Sequence, residues 1–455
     1  MLSKSSKTKQ QNLFYSPLSD MLDMNDPLIA LSNAIDWEIF ENEFSQFYSK
    51  DGSPAKPIRL MVGLLILKQL ENLSDESIVI QWKRNPYYQY FCGYNEMQLC
   101  EPCHSTQLVK FRQRIGKEGM ELIFKVSVQL HGNKAEEKEV LIDTTVQEKN
   151  ITYPTDGKLA IKMIHHLHKI GKKEQLNLRR TFVKEIKEHR INLRFFKHPK
   201  KIKKARSSIK RLRTIVGILI RDISRNLKQD KLSNYTNTFD LFDKVRNQQI
   251  KDSNKVLSLH ESHVYAITKG KDHKKYEYGT KASIVATKDS GVIVGVASHS
   301  KNEHDSKTLE AALISANKTR TTAIKEVICD RGYRGIKEVL GTIISIPGTT
   351  LKKDTEYQKQ QKRDKFKRRA AIEPIIGHLK SDFRLARNYL KGFIGDQINL
   401  LLAATAWNLK KWMNIYFFAI ISGEMKLLLE SIKQIKLYNQ IFLQLIVIKL
   451  IFTHP

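Results

Sequence analysis

Long apolar runs are missing from this chain, and no stretch reaches the roughly 20 residues that a membrane span needs. The opening, MLSKSSKTKQQNLFYSPLSD, has no apolar core either, so no secretory signal is expected. Cysteine is scarce: Cys92, Cys100, Cys103 and Cys329 are too few and too irregular for a disulfide framework. That usage suits a reducing, cytoplasmic setting. The Walker pattern GxxxxGK[ST] does not occur, which removes the case for an ATP site, and no internal repeat is found. Acid is also in short supply, with 47 Asp and Glu set against 78 Lys and Arg.

That imbalance is the first positive signal. A formal charge of +31 favours a polyanionic partner, nucleic acid before an anionic membrane. The length of 455 residues allows two to four domains and at least one large core. Residues 1–55 read as a partly helical arm. From 56 to 132, apolar residues recur at helical spacing in RLMVGLLILKQLENLSDESIVIQW and LVKFRQRIGKEGMELIFKVSVQL, which predicts an all-helical DNA-binding domain. Asp75 is placed like a helix cap there, and Lys83, Arg84, Lys110, Arg112 and Arg114 are candidates to face phosphates.

At 139 the period changes. EVLIDTTVQEKNITYP alternates like a strand, as do YEYGTKASIVAT, GVIVGVASHS and AIKEVICD, with a hairpin join at Lys288-Asp289-Ser290-Gly291. These strands, with a helix in DSKTLEAALISANK, predict an α/β core of mixed sheet over 138–157 and 262–412. The segment 158–261 reads as a basic helical insertion. Its densest part, KHPKKIKKARSSIKRLR, carries nine Lys or Arg and no acid. Like charges at i,i+4 repel on a solvated face, so Lys200, Lys201, Lys203, Lys204, Arg206, Arg211 and Arg213 are read as phosphate contacts. Residues 413–455 form an apolar tail without evident purpose.

Two acids stand out by position: Asp143 follows the apolar run VLI, and Asp330 follows VIC. Burying an unpaired carboxylate is costly, and a divalent cation met at the strand ends would explain both. The alternative is that each caps a turn. A third acid, Glu373, lies in FKRRAAIEPIIGHLK with Arg369 before it and Lys380 after. Three carboxylates suffice for a two-metal phosphodiester site, in which one ion activates an oxygen and the other stabilises the leaving oxygen.

The blocks LIDTTVQEKNITYPTDGKL, ICDRGYRG and FKRRAAIEPIIGHLKSDFRLARNYLKG resemble the three catalytic blocks of insertion-sequence transposases of the DDE type, the large IS-five group in particular. The helical text before them is similar to that group's N-terminal domain. The resemblance implies a ribonuclease H-like core, with Asp143, Asp330 and Glu373 holding two Mg²⁺ or Mn²⁺ ions. It further implies cleavage at the element's ends, transfer of the freed 3′-hydroxyl into target DNA, and a homodimer or higher assembly on double-stranded DNA near the nucleoid. Around the glutamate the group carries Tyr, Arg, Glu and Lys at fixed spacing; Arg369, Glu373 and Lys380 fit, and Phe366 stands at the Tyr position. At ~100° per residue, positions 366, 369, 373 and 380 share an arc of about 60° on an ideal helix. Pro374 is in tension with that unless the helix begins nearby. The alternatives are an inactive DNA-binding relic or regulator and a site-specific nuclease on the same fold.

Other motifs carry less. CEPCH at 100–104 has the form of a haem attachment site but is read as coincidence. HHLH at 165–168, His299 and His304 are read as phosphate contacts or solvated residues, and the aromatics of NPYYQYF as core. Asp305 is expected to cap the helix after it, with a supporting role near the metals as the lesser reading.

Overall fold

The computed structural model describes residues 16–49, 54–249, 251–271, 274–346, 348, 351 and 353–452, with side chains described except at 269–271, 274, 366 and 424–452. In the N-terminal part, Ile58–Leu70 is apolar nearly all round, and the helix is buried along almost its whole length. Around it pack Trp37–Ser45, Asp75–Arg84 and Ser105–Gln129. The cap of Asp75–Arg84 is Ser74, which accepts from the amide of Ser77, so the expectation for Asp75 is corrected. Asp75 instead points inward and binds Lys68 at 2.8 Å and both terminal nitrogens of Arg112. Arg112 is therefore a buried structural cation and not a phosphate contact, while Arg114 lies over the ring of Tyr48.

The sheet begins with β1 (Glu139–Glu148) and continues with β2 (Tyr265–Lys271), β3 (Lys274–Thr287), β4 (Ile293–His299) and β5 (Glu326–Ile328), then β6 (Glu338–Val339) and β7 (Thr342–Ser345). β4 pairs antiparallel with β3, β3 antiparallel with β1, β1 parallel with β5, and β5 parallel with β7. An antiparallel meander that turns parallel at its first strand, flanked by helices, is a ribonuclease H-like α/β fold. The join between β3 and β4 turns at Gly291, whose φ of +64° suits glycine.

Strands β2, β6 and β7 were not foreseen. The last two form a hairpin through Leu340 and Gly341, both at positive φ, a geometry whose usual Asn-Gly signature is missing here.

Helix Asp305–Thr319 lies against β4, and Gly295 makes that approach possible. A Cβ there would meet the Cβ and backbone nitrogen of Ala316, each at 2.7 Å. Gly295→Ala is expected to destabilise the fold by about 1–3 kcal/mol, measured by urea unfolding, because backbone must move to admit the methyl group.

Between β1 and β2 the chain forms a separate helical unit. Helices Asp156–Lys173, Ile202–Asn226 and Thr236–Asn247 enclose their own core around Leu167, Leu212, Ile215, Leu219 and Phe242. The return to the sheet is pinned by buried charge: Lys149, just after β1, binds Asp396 at 2.5 Å and Glu261 at 3.5 Å, and His263 binds Asp396 at 2.9 Å.

Helix Gly392–Phe452 closes the core, and Asn408 on it exchanges two hydrogen bonds with the backbone of Ile293. Beyond the core this helix exposes Ile415, Phe417, Phe418 and Ile421. No helix among the described residues is long and apolar enough to cross a membrane.

Candidate active site

Register places the first two carboxylates. In the parallel pair, Leu141 on β1 lies opposite Ile328 on β5. Asp143 follows two residues later within β1, and Asp330 follows two residues past the end of β5, where it caps the short turn Arg331–Tyr333 as the cap reading expected, so both lie just beyond the same paired step of neighbouring strands. Side chains alternate along a strand, which puts Asp143 on the same face as Leu141. That face is covered by the helix Ile372–Ser381: Ile372 packs on Leu141 and Ile328 in a small cluster of its own. Glu373 is the next residue, one position from the contact that seats this helix on β1 and β5.

The three do not close on one another. Glu373 is 61% exposed and takes a hydrogen bond of 2.7 Å from Arg369. Asp330 accepts from the amide of Gly332 at 2.8 Å, and Asp143 from the amide of Thr144 at 2.7 Å. Among the described residues no three His, Cys, Asp or Glu side chains gather at metal-holding spacing. The donor chemistry still fits a hard divalent cation, since Asp143 on β1 and Asp330 just past β5 offer charged carboxylate oxygens. Buried groups register that charge. Cys329 is pushed up to about 12 by burial and then by Asp330 and Asp143, with Arg369 opposing. The Tyr333 hydroxyl is raised by burial and then by Asp143 and Asp305.

Asp305 is the residue that sequence reasoning undervalued. His304 caps the helix, accepting from the amide of Ser306, and Asp305 is free to turn toward the sheet. One oxygen takes hydrogen bonds of 2.9 Å from Thr144 and from Lys281. The other faces Asp330 across Gly332, where a Cβ would lie 2.9 Å from Asp330 Oδ1 and 3.1 Å from Asp305 Oδ2. The local text HDSKTL reads as a cap in either case, and only the contact with Thr144, 161 residues earlier, separates the two roles.

The helix bearing Glu373 begins at Ile372, with Pro374 in its first turn, where the missing amide costs nothing. Arg369 ends the preceding helix, Glu356–Arg369, and the two linking alanines keep helical angles, which preserves the i,i+4 contact. Lys380 is half-buried on the same helix as Glu373. The side chain of Phe366 lies outside the described residues.

In the insertion, Lys200, Lys201, Lys203, Lys204 and Arg206 are exposed. Arg211 is tied to Glu185 at 2.5 Å and Arg213 to Asp156 at 2.9 Å, so these two serve the insertion's own structure at least in part.

The remaining motifs resolve locally. Cys103 is buried, Cys100 is exposed, and His104 caps Ser105–Gln129 through Nδ1. His299 is buried and bonded to Ser283 at 2.8 Å, and His166 packs on Phe242. Phe91 is wholly buried, as core.

Two family models match the chain: a Transposase domain (DUF772) over residues 16–114 and a Transposase DDE domain over 252–409. Asp330 and Glu373 fall inside the second match. Asp143 lies outside both, cut off by the insertion, and its placement rests on the β1–β5 register. The chain is also 36% identical over 194 residues to a protein of Rhizobium meliloti described as "Uncharacterized protein ORF8 in nfe locus", a match covering 42% of this chain and 94% of that one. No solved structure matches it. With both transposase domains in order and a ribonuclease H-like sheet, the chain belongs to the insertion-sequence DDE transposases.

Proposed function

We propose that this transposase, a member of the IS-five group, cuts DNA at the terminal inverted repeats of its own element and joins the freed 3′-hydroxyl to target DNA. The single observation that carries the reading is the parallel pairing of Leu141 with Ile328, two residues before Asp143 and Asp330, with Ile372, the neighbour of Glu373, seated on both. In this reading Asp143, Asp330 and Glu373 hold two Mg²⁺ or Mn²⁺ ions. When bound, the ions supply activation of the attacking oxygen and charge stabilisation at the leaving oxygen.

The chain's own part is to orient and to bind. Glu373 is exchanged from Arg369 toward the aspartates, and the released guanidinium is then free to take a phosphate oxygen in bidentate fashion. Lys380, on the Glu373 helix, adds a point charge for the neighbouring phosphate. Asp305 keeps Lys281 and Thr144 in place behind Asp330. The exposed lysines from Lys200 to Lys204 hold the duplex beyond the cut, and a dimer or larger assembly brings two ends together.

The test is an end-cleavage assay on a duplex carrying the element's terminal repeat. Cutting at the repeat boundary with Mg²⁺ or Mn²⁺, and none in chelator, is the expected result. Equal cutting in chelator would end the metal assignment. The ion pair between Arg369 and exposed Glu373 favours a second reading, a DNA-binding relative that no longer cuts. Sequence-specific binding to the repeats with no cleavage in either metal would select it.

A further inference from the structure

The insertion contains a concavity that the active site does not use. It has a volume of about 450 Å³ and is lined by Arg206, Lys210, Arg213, Arg221 and Arg246, with Ile209, Thr214 and Asn247 between them. No carboxylate and no aromatic ring is part of its lining. Arg206, Lys210, Gly217 and Arg221 follow one another at helical spacing along Ile202–Asn226, so they form a single stripe on that helix. From Arg206 to Arg221 the stripe is about 22 Å long at ~1.5 Å per residue.

Gly217 shows that the groove is built. Glycine inside a helix is unfavourable, and here its bare surface seats a cation. A Cβ at Gly217 would lie 2.5 Å from Arg246 Nη1 and 3.5 Å from Arg221 Nη1. Arg246 comes from the neighbouring helix and is held by Asp243 at 2.8 Å, so its guanidinium is braced across the stripe. Arg213 is braced by Asp156. Among the described residues no carboxylate pairs with Arg206, Lys210 or Arg221, and all three are exposed.

We infer that this groove is a sequence-independent clamp for the sugar–phosphate backbone of duplex DNA. The inference rests on the transposase reading and extends it to Lys210, Arg221 and Arg246, which the basic run at 197–213 does not predict as a set. Shape selects the backbone. Base edges lie at the floor of a DNA groove and are reached by protruding side chains, whereas a concavity receives the convex phosphate ridge. Length agrees, because about 22 Å spans roughly six base pairs at ~3.4 Å per phosphate on each strand. A free phosphate or nucleotide would occupy only one end of the stripe.

The test measures binding of the full chain to a short random-sequence duplex by fluorescence anisotropy across a salt series. Each neutralised phosphate contributes about 0.9 to the slope of log affinity against log salt. Arg206→Gln/Lys210→Gln/Arg221→Gln should therefore lower the slope by about two to three. A control with the same charge change on the same unit, Lys169→Gln/Lys184→Gln/Lys187→Gln, should leave it within about one. Gly217→Ala is the second variant: the methyl displaces Arg246, so the slope should drop by about one while the melting temperature holds or rises.

An unchanged slope in the groove variant, an equal drop in the control, or full displacement of the duplex by millimolar inorganic phosphate would overturn the clamp. The two readings fail separately. A wild-type protein that cuts repeat ends beside a groove variant that binds like wild type removes the clamp alone. A wild type that never cuts, with the slope still lost in the variant, removes the end-cleavage chemistry and leaves the clamp.

Discussion

Asp143→Asn, Asp330→Asn and Glu373→Gln should each abolish metal-dependent cutting at repeat ends while DNA binding survives. Each change keeps the shape and removes one negative oxygen from a set suited to a hard cation. Replacing groups that merely support a metal ligand costs about 10–100-fold, so removing a ligand itself should exceed a hundredfold. Folding should be spared at Glu373, because that side chain is 61% exposed and the packing is carried by Ile372. Binding to the repeat should hold or tighten, since every variant removes a negative charge and Glu373→Gln also releases Arg369. The measurement is a time course of strand cleavage beside an anisotropy titration on the same duplex. Full cutting by Glu373→Gln would remove the third ligand from the site, and loss of binding in step with cutting would recast all three residues as structural.

The sheet was legible where apolar alternation marks a strand, and the seven residues of β2, YAITKGK, hold too little of it to be read. β1, β3 and β4 run 10, 14 and 7 residues. The two-residue β6 and four-residue β7 carry too little pattern to be read, and their turn uses Leu340 where a two-residue hairpin usually shows Asn or Asp. The aspartate pair was legible as a candidate for a physical reason, because an acid closing a buried apolar strand needs a partner. Glu373 was not legible that way. In isolation it is a solvated i,i+4 partner of Arg369, and only likeness to a family singles it out. Charge runs hid a different distinction. Lys210 and Arg211 are neighbours in sequence, but helical geometry turns one into an open groove and the other onto Glu185. Asp305 and Asp75 were both read as caps, since the local text cannot show a partner such as Thr144 or Arg112, each far away in sequence.

Asp75→Ala is expected to be the most damaging substitution outside the active site. Its carboxylate joins three helices, binding Lys68 of Ile58–Leu70 and Arg112 of Ser105–Gln129 from the first turn of Asp75–Arg84. Both cations are nearly buried, with side chains 8% and 5% exposed. Removing the acid leaves two like charges facing each other away from water. Breaking a buried pair from one side costs about 3–5 kcal/mol. The melting midpoint should then drop by roughly 10 °C.

Acid should act on the same group. Burial pushes the Asp75 carboxyl up, but hydrogen bonds and charge from Arg112 and Lys68 outweigh it and hold it at about 2. A depressed carboxyl stabilises the fold fully above its ordinary value of 3.8, and the contribution is lost as pH falls through about 2. Wild type should therefore lose stability over that acid window, and Asp75→Ala should lose less over it. Replacing all three groups, as Lys68→Met/Asp75→Leu/Arg112→Met, should recover most of the lost stability, because a packed apolar trio carries no desolvation cost. A single variant that melts with wild type, or a triple variant no better than Asp75→Ala, would show that the charges do not carry this junction.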